Sequence, residues 1–440
     1  MENIFFKIFR GKATQHINIS VELQTVAISR DFPVFHKFFL YGSFLLTNIY
    51  LFLFYKKTSP IYPLGKEVPR MKFSCEKALL QSAIAVTSRA VAQKSSIPAL
   101  EGLLLHADHE LTVSGYNMQT GIRTKVSADV TEGGDIVLNA RLFGDIIRRM
   151  PDDVVTFTSD AKQVVHLHCG DADFDIMGLS AADYPDLPLV EDEYCVSIQQ
   201  KALRSMIEET AFAVSTNESR PVHTGALFEI SDTGLTMVAV DGFRLAIRRE
   251  PLEKIEGGVF SFVAPGAALK EVQSICFETE DVASVTLGKR HILFEVGDTE
   301  LICRRLEGEF LDYKNAIPRK NPISVVVETK ALIQSIDRVS VVISDKLKSP
   351  VRCTFDYDKV MLSAKTGNGE AKDVCRISGD GTGLEIGFNN RYLMEALRYA
   401  PADTVKIELN TGVSPAIIVP VDGEEKFLYM VLPVRLKSSD

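Results

Sequence analysis

The hydrophobic and polar positions of this chain follow the same order three times. A hairpin pattern, two short alternating strands around a polar turn, begins at Gly102, Gly225 and Val351. Each hairpin precedes a short stretch with apolar residues at helical spacing. The aligned leucines of these stretches, which lie 127 and 124 residues apart, are Leu142, Leu269 and Leu393. A period of this length is typical of a tandem array of whole domains.

Each repeat also opens with a predicted amphipathic helix that contains Lys-Ala-Leu. These helices are predicted over residues 75–92, 199–215 and 328–343. The strands are short and alternate between Gly, Asp and Asn turns, which favours antiparallel over parallel sheets. Pro-rich stretches near 183–193 and 317–322 mark boundaries. We therefore predict an α+β protein with three similar domains, 71–193, 194–321 and 322–440.

The first 70 residues lie outside this threefold pattern. They contain ten of the 25 phenylalanines, and residues 38–55 form an uncharged run. Eighteen such residues are just enough for a membrane-spanning helix. Two interpretations remain open: a membrane anchor on a cytosolic body, or translated sequence upstream of a true start at Met71. The second is favoured because Met71 opens the first repeat directly.

The charge of the repeat region limits how it could contact nucleic acid. Residues 71–440 carry 40 Lys and Arg against 54 Asp and Glu, a formal charge of −14. Binding to DNA through bulk charge is therefore excluded, and any contact must come from a local concentration of basic residues. Basic residues recur on all six predicted helices, away from their apolar stripes. The candidates for a positive channel are Lys77, Arg89, Arg141, Arg148, Arg149, Lys201, Arg204, Arg220, Lys270, Lys330, Arg338, Arg391 and Arg398.

No pattern of catalytic or metal-binding residues emerges. His166 and His168 share one face of a predicted strand, but no third ligand of the same parity follows. The glycines of residues 379–383 resemble a phosphate loop, yet they precede a strand rather than a helix. The seven cysteines are scattered, which is typical of reduced thiols in a cytosolic protein. We therefore predict a cytoplasmic protein that is not an enzyme and needs no metal or cofactor.

Six stretches carry a resemblance to a known family. They are SIPALEGLLL (96–105), SAADYPDLP (180–188), VDGFRLAI (240–247), EGEFLDYKNAIPRKNP (307–322), EIGFNNRYLMEAL (385–397) and YMVLPVRL (429–436). In this order they resemble the bacterial DNA polymerase III beta subunit, the DNA sliding clamp. The resemblance covers about 366 residues, from Met71 to Leu436, and the extension at 1–70 has no counterpart in the family.

The resemblance implies both a fold and a function. The fold is a DNA clamp: antiparallel sheets outside, two helices per domain lining a central channel, and a ring-shaped head-to-tail homodimer. The ring would encircle duplex DNA without reading its sequence and would slide along it. It would thereby confer processivity on the DNA polymerase III catalytic subunit, and it would also dock the clamp loader, other polymerases and repair proteins. The alternative is a membrane-anchored peptide-binding scaffold that does not encircle DNA.

The resemblance also assigns two sites. A hydrophobic peptide pocket between the second and third repeats would contain Gly242, Arg244, Leu245, Pro318, Asn389, Tyr392, Val413, Met430, Leu432, Pro433, Val434 and Arg435. Phe243 replaces a His that is common in this motif, Val434 replaces a Met, and Pro415 stands where a small hydroxyl residue is frequent, so a different pocket shape is expected. The dimer interface would bring two residues of the first repeat, Phe174 and Ile176, against two of the third, Val342 and Ile343.

Overall fold

The structure, a computed structural model, describes most of the chain from Met71 onward. The described ranges are 71–191, 194–252, 254–256, 258–343, 349–367, 369–423 and 426–436. All of them belong to one compact unit, Glu67–Asp440. Among these residues no helix is both long and apolar enough to cross a membrane. The candidate membrane segment at 38–55 lies outside the described residues.

The helices lie where the hydrophobic pattern predicts them. Those in the described residues are α1 Lys77–Thr87, α2 Ala140–Arg149, α3 Gln200–Ala211, α4 Gly266–Ile275, α5 Tyr313–Ala316, α6 Thr329–Ser340 and α7 Asn390–Arg398. The predicted opening helices correspond to α1, α3 and α6, and each is shorter than predicted. In α1 the Thr87 hydroxyl donates to the Ala83 carbonyl at 2.7 Å, and the chain then tightens into a 3₁₀ turn, Ser88–Ala90.

The strands repeat in the same order. The first repeat contains β1 Lys72–Glu76, β2 Gly102–Ala107, β3 Leu111–Tyr116, β4 Thr120–Val126, β5 Asp129–Glu132, β6 Gly134–Asn139, β7 Val154–Ser159, β8 Val164–Cys169 and β9 Ala172–Met177. The second contains β10 Tyr194–Gln199, β11 Gly225–Ser231, β12 Gly234–Val240, β13 Arg244–Glu250, β14 Lys254–Glu256, β15 Phe260–Pro265, β16 Val282–Leu287, β17 His291–Val296 and β18 Thr299–Arg304. The third contains β19 Ile323–Glu328, β20 Val351–Phe355, β21 Lys359–Thr366, β22 Gly369–Arg376, β23 Glu385–Phe388, β24 Thr404–Leu409, β25 Ala416–Pro420 and β26 Phe427–Val431.

The sheets join the repeats to one another. Four antiparallel sheets have the strand orders β5-β1-β7-β8-β9, β14-β10-β16-β17-β18-β4-β3-β2-β6, β15-β11-β12-β13-β26-β25-β24-β19 and β22-β21-β20-β23. The first seam pairs β18 of the second repeat with β4 of the first, and the second seam pairs β26 of the third with β13 of the second. The predicted α+β architecture with three tandem antiparallel repeats is confirmed.

The alignment of the second helices is wrong by one residue in the first repeat. Leu142 is 47% exposed, whereas Phe143 and Leu269 are fully buried and Leu393 is 4% exposed. Each of the three buried residues lies four positions after the helix N-cap. The Asn139 side chain accepts from the Leu142 amide at 2.9 Å, which fixes the start of α2 and turns Phe143 inward. Because Leu142 and Phe143 are adjacent and both apolar, the sequence alone does not show which of them is buried.

Candidate functional site

The predicted pocket is organised by a tight turn between β12 and β13. The Asp241 carboxylate accepts from the amides of Phe243 at 2.9 Å and of Arg244 at 3.1 Å. Gly242 has a φ of +89°, and a Cβ there would meet nothing within 4 Å. Glycine is therefore favoured at this position by its positive φ, and not by a lack of room for a side chain. The turn presents Phe243, which is 58% exposed.

Arg244 is a buried link between two repeats rather than an exposed ligand contact. It is 6% exposed, and its Nε donates to Asp241 at 2.9 Å while Nη1 donates to Glu395 of α7. Its guanidinium carbon lies 4.6 Å from the ring centre of Tyr392 and 5.3 Å from that of Phe212. Burial disfavours the ionised Glu395 carboxylate, but hydrogen bonds from Arg244 and Arg391 outweigh it and lower the pKa of Glu395.

The apolar floor of the pocket lies at the second seam. Leu245 and Met430 are opposite each other across β13 and β26, and both are buried. Leu432 packs partly buried against the same cluster. Its amide donates to the Phe243 carbonyl at 2.9 Å, so the chain beyond β26 is held against the turn. The structure therefore joins residues of the second repeat and of the tail in one apolar cluster.

The other predicted pocket residues have more varied surroundings. Asn389 caps α7, its side chain accepting from the Arg391 amide at 3.0 Å, and Tyr392 stacks on Phe243 with ring centres 5.8 Å apart. The Val434 amide donates to the Gly387 carbonyl at 2.8 Å. The remaining pocket residues differ in exposure: Val413 is 70% exposed, Arg435 is exposed, and Pro433 and Pro318 are partly buried. Pro318 lines a neighbouring groove.

Most of the predicted channel cations already have an acidic partner. Their ion pairs in the described residues are Lys77–Asp152 (2.7 Å), Arg89–Glu271 (3.0 Å), Arg148–Asp145 (3.0 Å), Arg149–Asp145 (3.4 Å), Lys201–Glu280, Arg204–Glu278 (2.8 Å), Lys330–Asp403 (3.6 Å), Arg338–Asp373 (2.6 Å) and Arg391–Glu395 (2.9 Å). Arg204 also donates to the Gln273 and Cys276 carbonyls at 3.2 and 3.0 Å, which caps the end of α4.

Four of the thirteen form no ion pair with any described residue. They are Arg141 on α2, Lys270 on α4, Arg398 on α7 and Arg220, all of them exposed. The first three lie on the second helix of each repeat, on the side away from its buried residues. Arg220 precedes the 3₁₀ turn Pro221–Thr224 and does not lie on an α-helix. The helix cations that form no ion pair with a described residue are therefore distributed evenly, one on each repeat.

The predicted interface residues lie at two strand edges. β9 is the last strand of the five-stranded sheet, and its Phe174 is 37% exposed while Ile176 packs partly on the first core. β22 is the last strand of the four-stranded sheet. Val342 and Ile343 follow α6 and are partly buried against the third repeat. The Val342 carbonyl accepts from the Thr366 hydroxyl at 2.9 Å, beside the turn into β22.

The two histidines and the glycine-rich segment have ordinary surroundings. His166 and His168 of β8 face carboxylates of β9, at 2.6 Å from Asp175 and 2.7 Å from Asp173, and all four side chains are exposed. No group of three or more metal-ligating residues is present in the described chain. The 379–383 segment precedes β23, as the sequence predicts.

Sequence reasoning missed three residues that shape the pocket. Asp241, Phe212 and Glu395 hold Arg244 in place, but only Asp241 is near it in sequence. An Asp that precedes Gly at a hairpin turn is a recognisable turn signal and could have identified Asp241. Nothing in the local sequence indicates Glu395, which lies 151 residues away.

Three tandem antiparallel repeats joined edge to edge through their sheets define a DNA clamp. Family models of the DNA polymerase III beta subunit match its N-terminal domain at residues 71–188, its central domain at 197–312 and its C-terminal domain at 314–435. The chain therefore belongs to the family of bacterial DNA polymerase III beta subunits, the beta sliding clamps. It is a DNA sliding clamp, a processivity factor without catalysis of its own.

Individual relatives agree with this assignment. The chain is 32% identical to the beta sliding clamp of Synechocystis sp., in an alignment that covers 83% of this chain and 100% of that protein. The solved DNA polymerase sliding clamp of Bacillus subtilis is 26% identical with a TM-score of 0.79, covering 84% and 100%. The beta subunit of Thermotoga maritima is 27% identical with a TM-score of 0.78, covering 83% and 100%. None of these relatives supports the alternative of a membrane-anchored scaffold.

Proposed function

We propose that two copies of this chain close head-to-tail into a ring around duplex DNA through the edge strands β9 and β22. One observation carries the proposal. β9 occupies the place in its repeat that β18 and β26 occupy in theirs, and β22 the place of β4 and β13. The latter four strands form the two seams within the chain. In a dimer, β9 of one copy would pair with β22 of the other, just as their equivalent strands pair at the two internal seams. Because this arrangement closes into a ring, it would not grow into a filament.

The two internal seams share one register. At the first seam Leu301 lies opposite Ile122, and at the second Tyr429 lies opposite Ala246. All four residues are fully buried. The pairing of neighbouring strands within each repeat shows that the members of each pair occupy equivalent positions. A third seam in the same ring would repeat this register.

If β9 and β22 pair in the register of the internal seams, the residue contacts of the third seam can be predicted. Phe174 has the position of Leu301 and Tyr429, and Ala371 has the position of Ile122 and Ala246. Phe174 of one copy would therefore lie opposite Ala371 of the second copy, and Ile176 two residues on would lie opposite Gly369. Burial of Phe174, with Val342 and Ile343 nearby, would supply the apolar part of this interface.

One of the two internal seams carries an ion pair in this register, whereas Ile247 and Leu428 occupy the corresponding positions of the second seam. At the first seam Arg123 of β4 pairs with Glu300 of β18. Lys372 and Asp173 occupy the corresponding positions of β22 and β9. In the ring, Lys372 of one copy would therefore face Asp173 of the other, and a charge pair at this place would favour the correct register.

Duplex DNA would be held by topology and by weak phosphate contacts. We propose that the thirteen candidate cations line the channel. Arg141, Lys270 and Arg398, which form no ion pair with a described residue, would supply most of its attraction for phosphate. Cations already paired with carboxylates bind phosphate weakly because a contact must be broken first. Weak contacts without base recognition let a ring slide.

Partner proteins would dock at the pocket. We propose that short hydrophobic peptides of the DNA polymerase III catalytic subunit, the clamp loader, other polymerases and repair proteins bind the surface formed by Leu432 and the exposed ring of Phe243, over the buried Leu245 and Met430 and together with the other pocket residues. An apolar floor with fixed polar groups suits such an anchor. The three repeats would be clamp domains 71–193, 194–321 and 322–440, and the protein would act in the cytoplasm.

A retention experiment tests the ring. The full chain, loaded by its clamp loader, should remain on nicked circular DNA through gel filtration and be lost once that DNA is linearised. The reason is that a closed ring leaves a duplex only by opening or by sliding off an end. Equal retention on circular and linear DNA would contradict the proposal.

A further inference from the structure

A second groove adjoins the pocket at the same seam. It has a volume of about 910 Å³ and lies between the segment that connects the second and third repeats, residues 313–321, and strands β11, β25 and β26. We call it the connector groove. Of the twelve predicted pocket residues it includes only Pro318.

The floor of the connector groove is apolar and continuous with the floor of the pocket. Leu428, Ile417 and Val419 line it, and all three belong to the cluster that also contains the pocket residue Met430. Ile417 lies opposite Met430 across β25 and β26. The two floors therefore belong to one apolar cluster, so a chain bound in the pocket could continue into the connector groove.

The rim of the connector groove is positive, in contrast to the acidic chain as a whole. Its charged residues are Arg249, Lys314, Arg319, Lys406, Glu229 and Glu408. Glu229 accepts from the Tyr313 hydroxyl and pairs with Lys314 at 3.3 Å, and Glu408 pairs with Lys406 at 3.0 Å. Both acids are thus neutralised locally. Arg319 is exposed and forms no ion pair with a described residue.

One polar atom of the groove lacks a partner. The side-chain oxygen Oδ1 of Asn321, at the end of the connector, is buried without a hydrogen bond in the described chain. A buried acceptor without a donor costs free energy.

We propose that the connector groove binds an acidic, extended segment of the partner chain whose hydrophobic anchor occupies the pocket. This rests on the proposed function of the pocket. Because the two floors share one apolar cluster, we infer that the same partner chain occupies both sites. Because the rim is net positive, we infer that the segment in the groove carries Asp and Glu side chains. Surface ion pairs of this kind contribute modestly and are weakened by salt.

Fluorescence anisotropy with the full chain tests the inference. The probes are a short hydrophobic peptide from the polymerase catalytic subunit, and the same peptide extended by four Asp/Glu residues at its N-terminal or its C-terminal side. One of the two extended peptides should bind about fivefold more tightly at low salt. Arg319→Glu should abolish this gain, and the unextended peptide should bind wild type and variant alike.

Matched controls separate the two proposals. Lys320→Glu makes the same charge change one residue away, outside the groove lining, and should keep the gain. An extension of four Ser residues should give none. If the unextended peptide fails to bind wild type, the pocket assignment falls. If it binds but neither acidic extension adds affinity, or the gain survives Arg319→Glu, the connector groove inference is overturned.

Discussion

Arg244 shows how much one side chain contributes to the second seam. It extends from β13 of the second repeat, yet it is bonded to Glu395 and lies against the Tyr392 ring, both of the third repeat. A planar, permanently charged guanidinium can do both at once, which a Lys cannot. Because the group is buried, loss of the cation would remove the guanidinium partner of Asp241 and leave Glu395 paired with the exposed Arg391.

We expect Arg244→Met to weaken the second seam strongly. Removing one partner of a buried ion pair costs about 3–5 kcal/mol because an uncompensated charge stays buried. Native-state hydrogen exchange of the β13 and β26 amides would report the lower free energy of opening. Arg391→Met is the matched control: Arg391 pairs with the same Glu395, but its side chain is 75% exposed. It should cost about 1 kcal/mol or less; equal effects would contradict the role of Arg244.

The sequence predicts residue types at the pocket better than their roles. The resemblance assigns Leu245, Met430 and Leu432 to one site, and the structure packs all three in one apolar cluster at the second seam. It places Arg244 in the pocket wall but gives no sign that the side chain is buried, since the burial is produced by partners from distant helices. The alignment of Leu142 with Leu269 and Leu393 is wrong for a related reason. The cap at Asn139 decides which of the two apolar neighbours, Leu142 or Phe143, turns inward.

At the scale of elements, the same turn recurs at the first seam. Asn117 there accepts from two following amides, as Asp241 does, and Met118 takes a φ of +71° where Gly242 takes +89°. The first seam differs in what fills it. Leu187 of the chain itself packs within 3.0 Å of where a Cβ on Gly121 would lie. The repeat thus supplies a common framework, and local side chains decide which seam keeps an accessible apolar surface.

The strand register predicts a charge-reversal result at the ring interface. Asp173→Lys should place a Lys opposite Lys372 of the second copy and reduce dimer affinity by about tenfold or more, since like charges at an interface repel. Sedimentation velocity on the full chain measures this. Combining it with Lys372→Asp should restore the dimer.

The control for this experiment is Asp108→Lys, in the exposed turn between β2 and β3 and outside the proposed pairing of β9 with β22. It makes the same charge change and should leave the dimer intact. If the double variant dimerises no better than Asp173→Lys alone, the register is not the one shared by the internal seams.

At the scale of the whole molecule, the repeat is visible in the sequence but ring closure is not. The period predicts three similar domains, and the family resemblance supplies the ring. Only the sheet topology shows why the array would close: β9 and β22 remain as free edges after two equivalent seams have formed. The distribution of charge is likewise only half visible, because a list of basic residues does not show that nine of thirteen are paired with carboxylates.

That pairing predicts which cations matter for DNA. Alanine substitution of Arg141, Lys270 and Arg398 together should lower the affinity of the unloaded protein for linear duplex by about tenfold at low salt. The slope of log K against log salt should become shallower by about one to three, because each lost phosphate contact releases about one counterion fewer. A salt titration of fluorescence-labelled duplex provides both quantities.

The matched control replaces three paired cations, Lys201, Lys330 and Arg338, by alanine. It removes the same formal charge from the same helical layer, one cation from the second repeat and two from the third. Each of these side chains must leave a carboxylate before it can hold a phosphate, so its net contribution to binding is small. The control should therefore lower affinity by no more than about threefold and change the slope little. Equal losses in the two triple variants would mean that the internal ion pairs do not tune the channel, and that DNA attraction follows the number of cations alone.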